Sequence, residues 1–166
     1  MSMWASGRLD EQDGLSQFDC GVTSLNQWLS GRAREAQARG TAATYVWTAV
    51  GTSRVVAYYA IAPHQVRREQ VTSAMAGGTT VIPAYLLARL ALDVALHGQG
   101  LGAELLHDAM DRIVTAADAV SGRLIVVDAI NDTATAFYRH HDFQPVRDNP
   151  HRLVIKVSTV RKAISR

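Results

Sequence analysis

After Thr23, the apolar residues Leu25, Trp28, Leu29, Ala33 and Ala36 recur at helical spacing, with Arg32, Arg34 and Arg39 mostly off that stripe. The pattern predicts one amphipathic helix, opened by a capping box of Ser24 and Gln27 and closed at Gly40. Two runs rich in β-branched and aromatic residues follow, at 44–50 and 54–61, and Gly51-Thr52-Ser53 between them predicts a hairpin. Pro63 is expected to end that pair. Residues 64–80 hold Arg67-Arg68 and Gly77-Gly78 but no sustained period, and read as loop with a helical turn.

The stretch 85–96 is apolar except for Arg89 and Asp93, so periodicity alone does not separate strand from helix. The glycines that follow it favour a buried strand. From Leu101 a strong helix is expected, with Leu105, Leu106, Ala109, Ile113, Val114 and Ala117 on one face and Gly122 at its end. A short buried strand at 123–128, a helix from Asn131-Asp132 to about His140 and a strand at 153–157 complete the order. Helix, hairpin, strand, helix, strand, helix, strand is an α/β pattern with mixed strand directions.

Composition narrows the picture without deciding it. With 166 residues, one domain spanning 1–166 is expected, large enough for a core of its own. The 17 basic and 15 acidic residues leave a net charge of +2, which permits a polyanionic partner without requiring one. Cys20 stands alone, so an intramolecular disulfide is excluded and a reducing cytoplasm is the expected location. The first eight residues show no apolar leader core, and no run reaches the ~18 apolar residues of a membrane span. Secretion and membrane insertion are therefore not expected.

The chemistry centres on Gly98-Gln99-Gly100-Leu101-Gly102, between a predicted strand and a predicted helix. Glycines let a backbone turn tightly against an anion, and the helix start adds free N–H groups and the positive end of its dipole. A plain tight turn rarely needs three glycines, so a phosphate ligand is the better reading. Gly98, Gly100 and Ala103 also fit a relaxed dinucleotide fingerprint, with Asp128 as the acidic partner. That reading fails on architecture, because too much chain precedes the loop and too few elements follow it. A mononucleotide P-loop fails because no Lys-Ser or Lys-Thr follows the glycines.

Together with the preceding His97 and the following Ala103, this segment resembles the pyrophosphate loop of the GNAT acyltransferases, Arg/Gln-x-x-Gly-x-Gly/Ala, with His97 in place of the usual Arg or Gln. A second segment, Asn131, Ala134, Ala136-Phe137-Tyr138 and Phe143, is similar to the family's Asn-x-x-Ala-x-x-Phe/Tyr-Tyr-x-x-x-Gly-Phe, with Asp142 at the usual glycine. The resemblance implies an α/β GNAT fold, a mixed central sheet with splayed strands flanked by helices, and acetyl-CoA as the acyl donor. By resemblance the donor is held by Leu92, Asp93, Val94, His97, Gly98, Gln99, Gly100, Leu101, Gly102, Ala103, Asn131 and Phe137. A backbone N–H at 92–94 is expected to stabilise the oxyanion, a contribution of ~3–4 kcal/mol in other acyl transfers.

Tyr138 matches the family's tyrosine acid. A phenol with pKa near ~10 donates at neutral pH and is close enough to a thiol in acidity to protonate the departing sulfur. Its bland alternative is a packed tyrosine whose hydroxyl is satisfied elsewhere. Asp93 is the nearest carboxylate for a general base, though it is as well placed to pair with Arg89 or cap the loop. An acceptor with a free α-amine, pKa ~7.7–8.0, needs little help from a base. No metal site is expected, since adjacent His140 and His141 diverge by about 100° on a helix.

The N-terminal third carries a narrower likeness. Phe18-Asp19-Cys20-Gly21, Leu25-Asn26-Gln27-Trp28-Leu29, Tyr58-Tyr59 and Leu86 through Asp93 resemble the GNAT toxins of bacterial type II toxin–antitoxin pairs. That subfamily acetylates the α-amine of aminoacyl-tRNA and stops translation. The resemblance implies a ribbon–helix–helix antitoxin and a homodimer. Arg32, Arg34, Arg67, Arg68 and Arg89 are the candidate tRNA contacts, and Arg161, Lys162 and Arg166 add a basic C-terminus. Solvated arginines explain the same residues equally well. Two other functions stay open at this stage: acetylation of a small or protein amine, and a non-catalytic acyl-CoA-binding module.

Overall fold

A computed structural model describes residues 3–165 of the chain. Met1, Ser2 and Arg166, which enter the readings of the two termini, lie outside them. The chain divides into two compact units, one formed by residues up to 62 with 88–109, the other by 63–87 with 110 onward.

The first unit holds β1 (Trp4–Arg8), α1 (Thr23–Gly31), α2 (Ala33–Arg39) and β2 (Ala43–Ala49). It also holds the start of β3 (Val55–Arg67), the end of β4 (Val81–Leu92) and the first half of α4 (Leu101–Val120). The ladders β1–β2 and β2–β3 are antiparallel, running from Trp4↔Ala49 and from Ala43↔Ile61. Leu9, Phe18, Leu29, Ala33, Val46, Val55, Tyr58 and Ala91 form the core.

The single helix predicted at 23–40 is in fact two. Gly31, a poor helix former by ~1 kcal/mol against alanine, ends α1, and Arg32 departs from helical geometry before α2. Side chains then anchor α2 independently. Arg34 donates to the carbonyls of Asp10 and Asp13, and Gln37 bridges Leu9 O and Thr44 N. The expected Ser24–Gln27 box does not form, because the N-cap is Val22 and makes no side-chain cap. Asn26 and Asp19 organise the entry instead, taking the amides of Cys20 and Gly21. Gly40 closes α2 as predicted.

One carboxylate ties the strands to α4. Asp108 Oδ2 accepts from Ser6 Oγ at 2.6 Å, Tyr59 Oη at 3.0 Å and Trp47 Nε1 at 3.2 Å, so β1, β2 and β3 each reach the same atom.

The second unit holds the rest of β3, α3 (Ser73–Ala76), the start of β4 and the end of α4. It continues with β5 (Leu124–Asp128), α5 (Asp132–His140), β6 (Gln144–Val146), β7 (Asn149–Lys156) and α6 (Val157–Ile164). β4 and β5 pair in parallel from Ala84↔Leu124 to Leu87↔Val127, where the ladder stops although β4 runs on to Leu92. β5–β7 and β6–β7 are antiparallel. Val66, Ile82, Leu124, Val126 and Val154 centre a second apolar cluster, which includes Met75 of α3.

Pro63 does not end β3. The ladder to β2 is complete at Ile61, so the missing N–H interrupts nothing, and the strand continues to Arg67 with Arg68 N bonded to Thr80 O. Residues 64–67 are therefore strand rather than loop. The final strand begins earlier than expected and ends at Lys156, where α6 starts. β1, β6 and α6 have no counterpart in the sequence pattern: the Trp4–Arg8 strand is small and glycine-containing, and α6 buries only Val157 and Val160.

Replacing Asp108 with alanine leaves three donors without their shared acceptor. The expected loss is about 2–4 kcal/mol of unfolding free energy, read as a lower midpoint in urea with an unchanged slope.

Candidate active site

In the first unit, the sequence-predicted donor residues lie on one continuous segment from the end of β4 into α4. Asp93 is buried, and its side chain caps the short 3-10 turn Val94–Leu96: Oδ1 accepts from Ala95 N at 3.0 Å, and Oδ2 from Asp19 N at 3.2 Å. With both oxygens engaged, this carboxylate is built as a cap rather than as a base. The amides of Asp93 and Val94 are engaged too, with Val56 O and Asp19 O, at 2.9 and 2.8 Å. Of the three amides expected near the oxyanion, only that of Leu92 is left for this role. Strand alternation turns it, like that of Leu90, away from the β3 side that Asp93 N occupies.

His97 folds back on the strand it follows, its Nε2 donating to Leu92 O at 2.7 Å. The side chain thus closes the loop on itself, and Gln99 Nε2 reaches Ala95 O in the same way at 3.4 Å. Gly98 and Gly100 have φ of +78° and +76°, which a side chain tolerates poorly, and a Cβ on either would meet open space. The loop therefore presents bare backbone, and α4 opens at Leu101 with its first amides free of intrahelical partners, Gly102 and Ala103 among them. This donor set suits a pyrophosphate group, with no side chain filling the cradle.

In the second unit, Asn131 is the N-cap of α5, its Oδ1 accepting from Ala134 N at 2.8 Å. That helix carries Phe137 and Tyr138. After it, Asp142 adopts φ +73°, the left-handed turn where the related pattern has glycine. Phe143 N then returns to Tyr138 O, and its ring meets the Tyr138 ring edge-on at 5.5 Å. Phe137 contacts the same ring at 5.3 Å.

Tyr138 is buried, and that burial raises its phenol pKa above the ordinary tyrosine value. Its hydroxyl makes no hydrogen bond among the described residues. The other buried or half-buried tyrosines do bond: Tyr58 donates to Leu25 O, Tyr59 to Asp108 and Tyr85 to Ser121 O. A packed tyrosine with its hydroxyl satisfied elsewhere is thus not what stands at 138.

The candidate arginines divide. Arg34 is held by backbone carbonyls, and Arg39 pairs with Glu35 at 2.9 Å. Arg67 lies 3.7 Å from Glu69, with both side chains largely exposed. Arg32 and Arg68 are exposed; Arg32 lines a shallow hollow with Trp28 and Thr41, and Arg68 shares another with Arg147, Ser73 and Thr80. Arg89 finds a partner, its guanidinium 4.2 Å from the Trp28 ring centre, and desolvation lowers its pKa. Sequence reasoning missed a group in the second unit: Arg152 pairs in bidentate fashion with Asp128 and reaches His64. Only the antiparallel register Asp128↔Arg152 reveals it, and no local spacing carries that signal.

No family model matches the chain. It is 35% identical to a tRNA-acetylating toxin of Mycobacterium tuberculosis (strain ATCC 25618 / H37Rv) over 169 residues, covering 96% of each chain. Two solved structures are similar throughout. One is AtaT complexed with acetyl-methionyl-tRNAfMet, at TM-score 0.89 and 26% identity, covering 97% of this chain and 99% of that one. The other is a tyrosine-to-phenylalanine mutant of the AtaT toxin bound to the C-terminus of the antitoxin AtaR and acetyl-CoA, at TM-score 0.86 and 25% identity, covering 99% and 100%.

Substituting Gly100 with alanine forces a side chain into positive φ, at about 1–2 kcal/mol of strain. Coenzyme A binding measured by calorimetry is expected to weaken about tenfold, and the same strain is expected to lower the unfolding midpoint by about 2–8 °C.

Proposed function

The chain belongs to the family of tRNA-acetylating toxins built on the GNAT acyltransferase fold, and from that premise we propose that it transfers acetyl from acetyl-CoA to the α-amine of aminoacyl-tRNA, acting as the translation-blocking toxin of a type II toxin–antitoxin pair. The observation that carries the chemistry is the buried Tyr138, bracketed by Phe137 and Phe143 with its hydroxyl unclaimed.

Acetyl-CoA supplies the acetyl group as a thioester. The backbone of Gly98, Gly100 and the first turn of α4 binds its pyrophosphate, with Gln99, Leu101, Gly102 and Ala103 on the same cradle. Asn131 and Phe137 are assigned to the donor as well. His97 acts on the loop rather than on the phosphate, by holding it to Leu92 O. The Leu92 amide, on the strand edge that β3 does not use, takes the charge developing on the thioester oxygen.

The acceptor amine forms the new C–N bond, the C–S bond breaks, and Tyr138 gives its proton to the departing sulfur. The proton shed by the amine leaves to solvent. An α-amine of pKa ~7.7–8.0 is partly free at neutral pH, which suits a site whose candidate base, Asp93, has both carboxylate oxygens engaged as a cap. A lysine acceptor near ~10.4 would need a base that Asp93 cannot supply.

Arg32, Arg67 and Arg68 are assigned to tRNA phosphates, and Arg34 and Arg89 to holding the first unit in shape. The whole chain acts as one acetyltransferase domain, consistent with relatives that match it end to end. A ribbon–helix–helix antitoxin and a second copy of the chain complete the assembly. No helix among the described residues is long and apolar enough to cross a membrane, and a tRNA substrate places the work in the cytoplasm.

The test is transfer of labelled acetyl from acetyl-CoA to total charged tRNA. Tyr138→Phe is expected to lower kcat by about 10²–10⁴ while KM for acetyl-CoA stays within about twofold. Because burial raises the Tyr138 pKa, the acid form persists as pH rises. The wild-type kcat is therefore expected to show no falling limb up to the ordinary tyrosine value near ~10. Acetylation of free amines with no label on charged tRNA would remove the toxin reading and leave a general acetyltransferase.

A further inference from the structure

In the second unit, neighbouring segments meet at the turn Arg68–Gln70 that follows β3. Arg68 N donates to Thr80 O at 3.0 Å, which ties the turn to the residue before β4. Arg147 N donates to Gln70 O at 3.1 Å, which ties it to the tight turn between β6 and β7. These bonds frame a surface hollow of about 400 Å³, lined by Arg68, Glu69, Val71, Ser73, Thr80 and Arg147. Val71 is buried and belongs to the apolar cluster of this unit, so the hollow rests on a fixed base.

Two cations thus stand on one hollow. Neither guanidinium has an ion pair, hydrogen bond or ring contact among the described residues, whereas the fold employs Arg34, Arg89, Arg123 and Arg152. Like charges held together repel, so the fold gains nothing from this placement, and an anion between them does. The carboxylate of the lining, Glu69, lies 3.7 Å from Arg67, which offsets its charge. The hydroxyls divide in the same way. Thr72 Oγ1 accepts from Met75 N and Thr79 Oγ1 donates to Val81 O, while their neighbours Ser73 and Thr80, on the hollow, have hydroxyls that bond no described residue. Two planar forks and two hydroxyls are the donors that phosphate oxygens take. All four side chains are exposed, so a lone phosphate gains little over water and salt there. A phosphodiester of a polyanion that also binds elsewhere arrives at high effective concentration.

We propose that Arg68 and Arg147 grip one and the same phosphodiester of the tRNA, with Ser73 and Thr80 donating to its free oxygens. This rests on the tRNA substrate proposed above, and it adds Arg147 and the two hydroxyls to the contacts assigned there. The contact is to the backbone, so it positions the tRNA without reading its sequence or its aminoacyl group.

The test is binding of fluorescently labelled deacylated tRNA to the full chain, followed by anisotropy across about 50–200 mM salt. Arg68→Gln and Arg147→Gln are each expected to weaken binding about threefold. The slope of log K against log salt stays nearly unchanged in both, because the remaining guanidinium still neutralises the phosphate. The double variant is expected to bind about tenfold more weakly, with a slope shallower by about 1, the counterion release of one phosphate. All variants are expected to keep the wild-type unfolding midpoint, since both side chains are exposed. A slope shallower by about 1 in each single variant and by about 2 in the double means two separate phosphates, and overturns the shared grip. Arg54→Gln, at an exposed arginine of the first unit, is the control. A loss there equal to that of the double variant means nonspecific attraction and overturns the site. Inorganic phosphate is expected to displace tRNA no better than chloride at equal ionic strength; saturable displacement by phosphate alone makes this a free-phosphate site instead. Wild-type transfer of acetyl to charged tRNA, with the double variant binding as tightly as wild type, overturns this inference and leaves the acceptor reading standing. No transfer at all, with the slope still shallower by about 1 in the double variant, removes the acceptor reading and leaves the phosphate site.

Discussion

The donor loop depends on a carboxylate that is almost fully withdrawn from water. Asp93 is 3% exposed, and so polar a side chain is tolerated there because hydrogen-bond donors replace its hydration. Two amides do so, those of Asp19 and Ala95, while Asp19 O receives Val94 N in return. The segment before α1 and the end of β4 are thus locked reciprocally. Asp19 adds a second carboxylate to the knot, with its own oxygen on Gly21 N and Asn26 Nδ2, and those bonds hold its pKa below the usual value. The glycine loop starts from this fixed point. Its own residues are free to present backbone because their neighbours carry the restraint.

The same accounting of donors and acceptors shapes the chemistry. An acid that protonates a thiolate must keep its proton until the bond breaks, and must not have given it to another acceptor. In the acid role proposed for Tyr138, burial meets the first demand and the missing protein acceptor meets the second. The flanking rings of Phe137 and Phe143 pack on the Tyr138 ring without offering its hydroxyl an acceptor. A general base is the component that this arrangement lacks in Asp93, and its absence there selects for an acceptor whose amine is already partly neutral.

What the sequence made legible follows the range of the interactions involved. The glycine loop, α4 and the start of α5 at Asn131-Asp132 are local, and spacing predicts them because the atoms that matter lie within a few residues, whereas Asp142 stood out only through the family pattern that has glycine there. The break at Arg32 and the continuation through Pro63 are not local: Arg34 and Gln37 decide the first from contacts more than twenty residues away or across to β2, and the end of the β2 ladder decides the second. Asp93 was legible as a choice between base and cap, and only the fold supplied the two amides that decide it. β1, β6 and α6 escaped because their apolar positions are too few to make a period.

Arginine placement shows why net charge is a weak guide to partners here. Arg34 and Arg123 hold backbone carbonyls, Arg89 lies on Trp28, and Arg152 and Arg161 pair with Asp128 and Asp118. These five do the work that lysine would do poorly, since a planar fork can satisfy two acceptors at once or stack on a ring. They are restrained and do not release counterions when a polyanion arrives, so they contribute little to salt-dependent affinity. In the function proposed above, phosphate recognition falls instead to exposed side chains such as Arg32, Arg67 and Arg68. Arg67 is the instructive case, because its exposed partner Glu69 at 3.7 Å is a weak competitor that a phosphate can displace. On that proposal the chain meets tRNA with a minority of its cations, and backbone contacts of this kind set position without carrying sequence information.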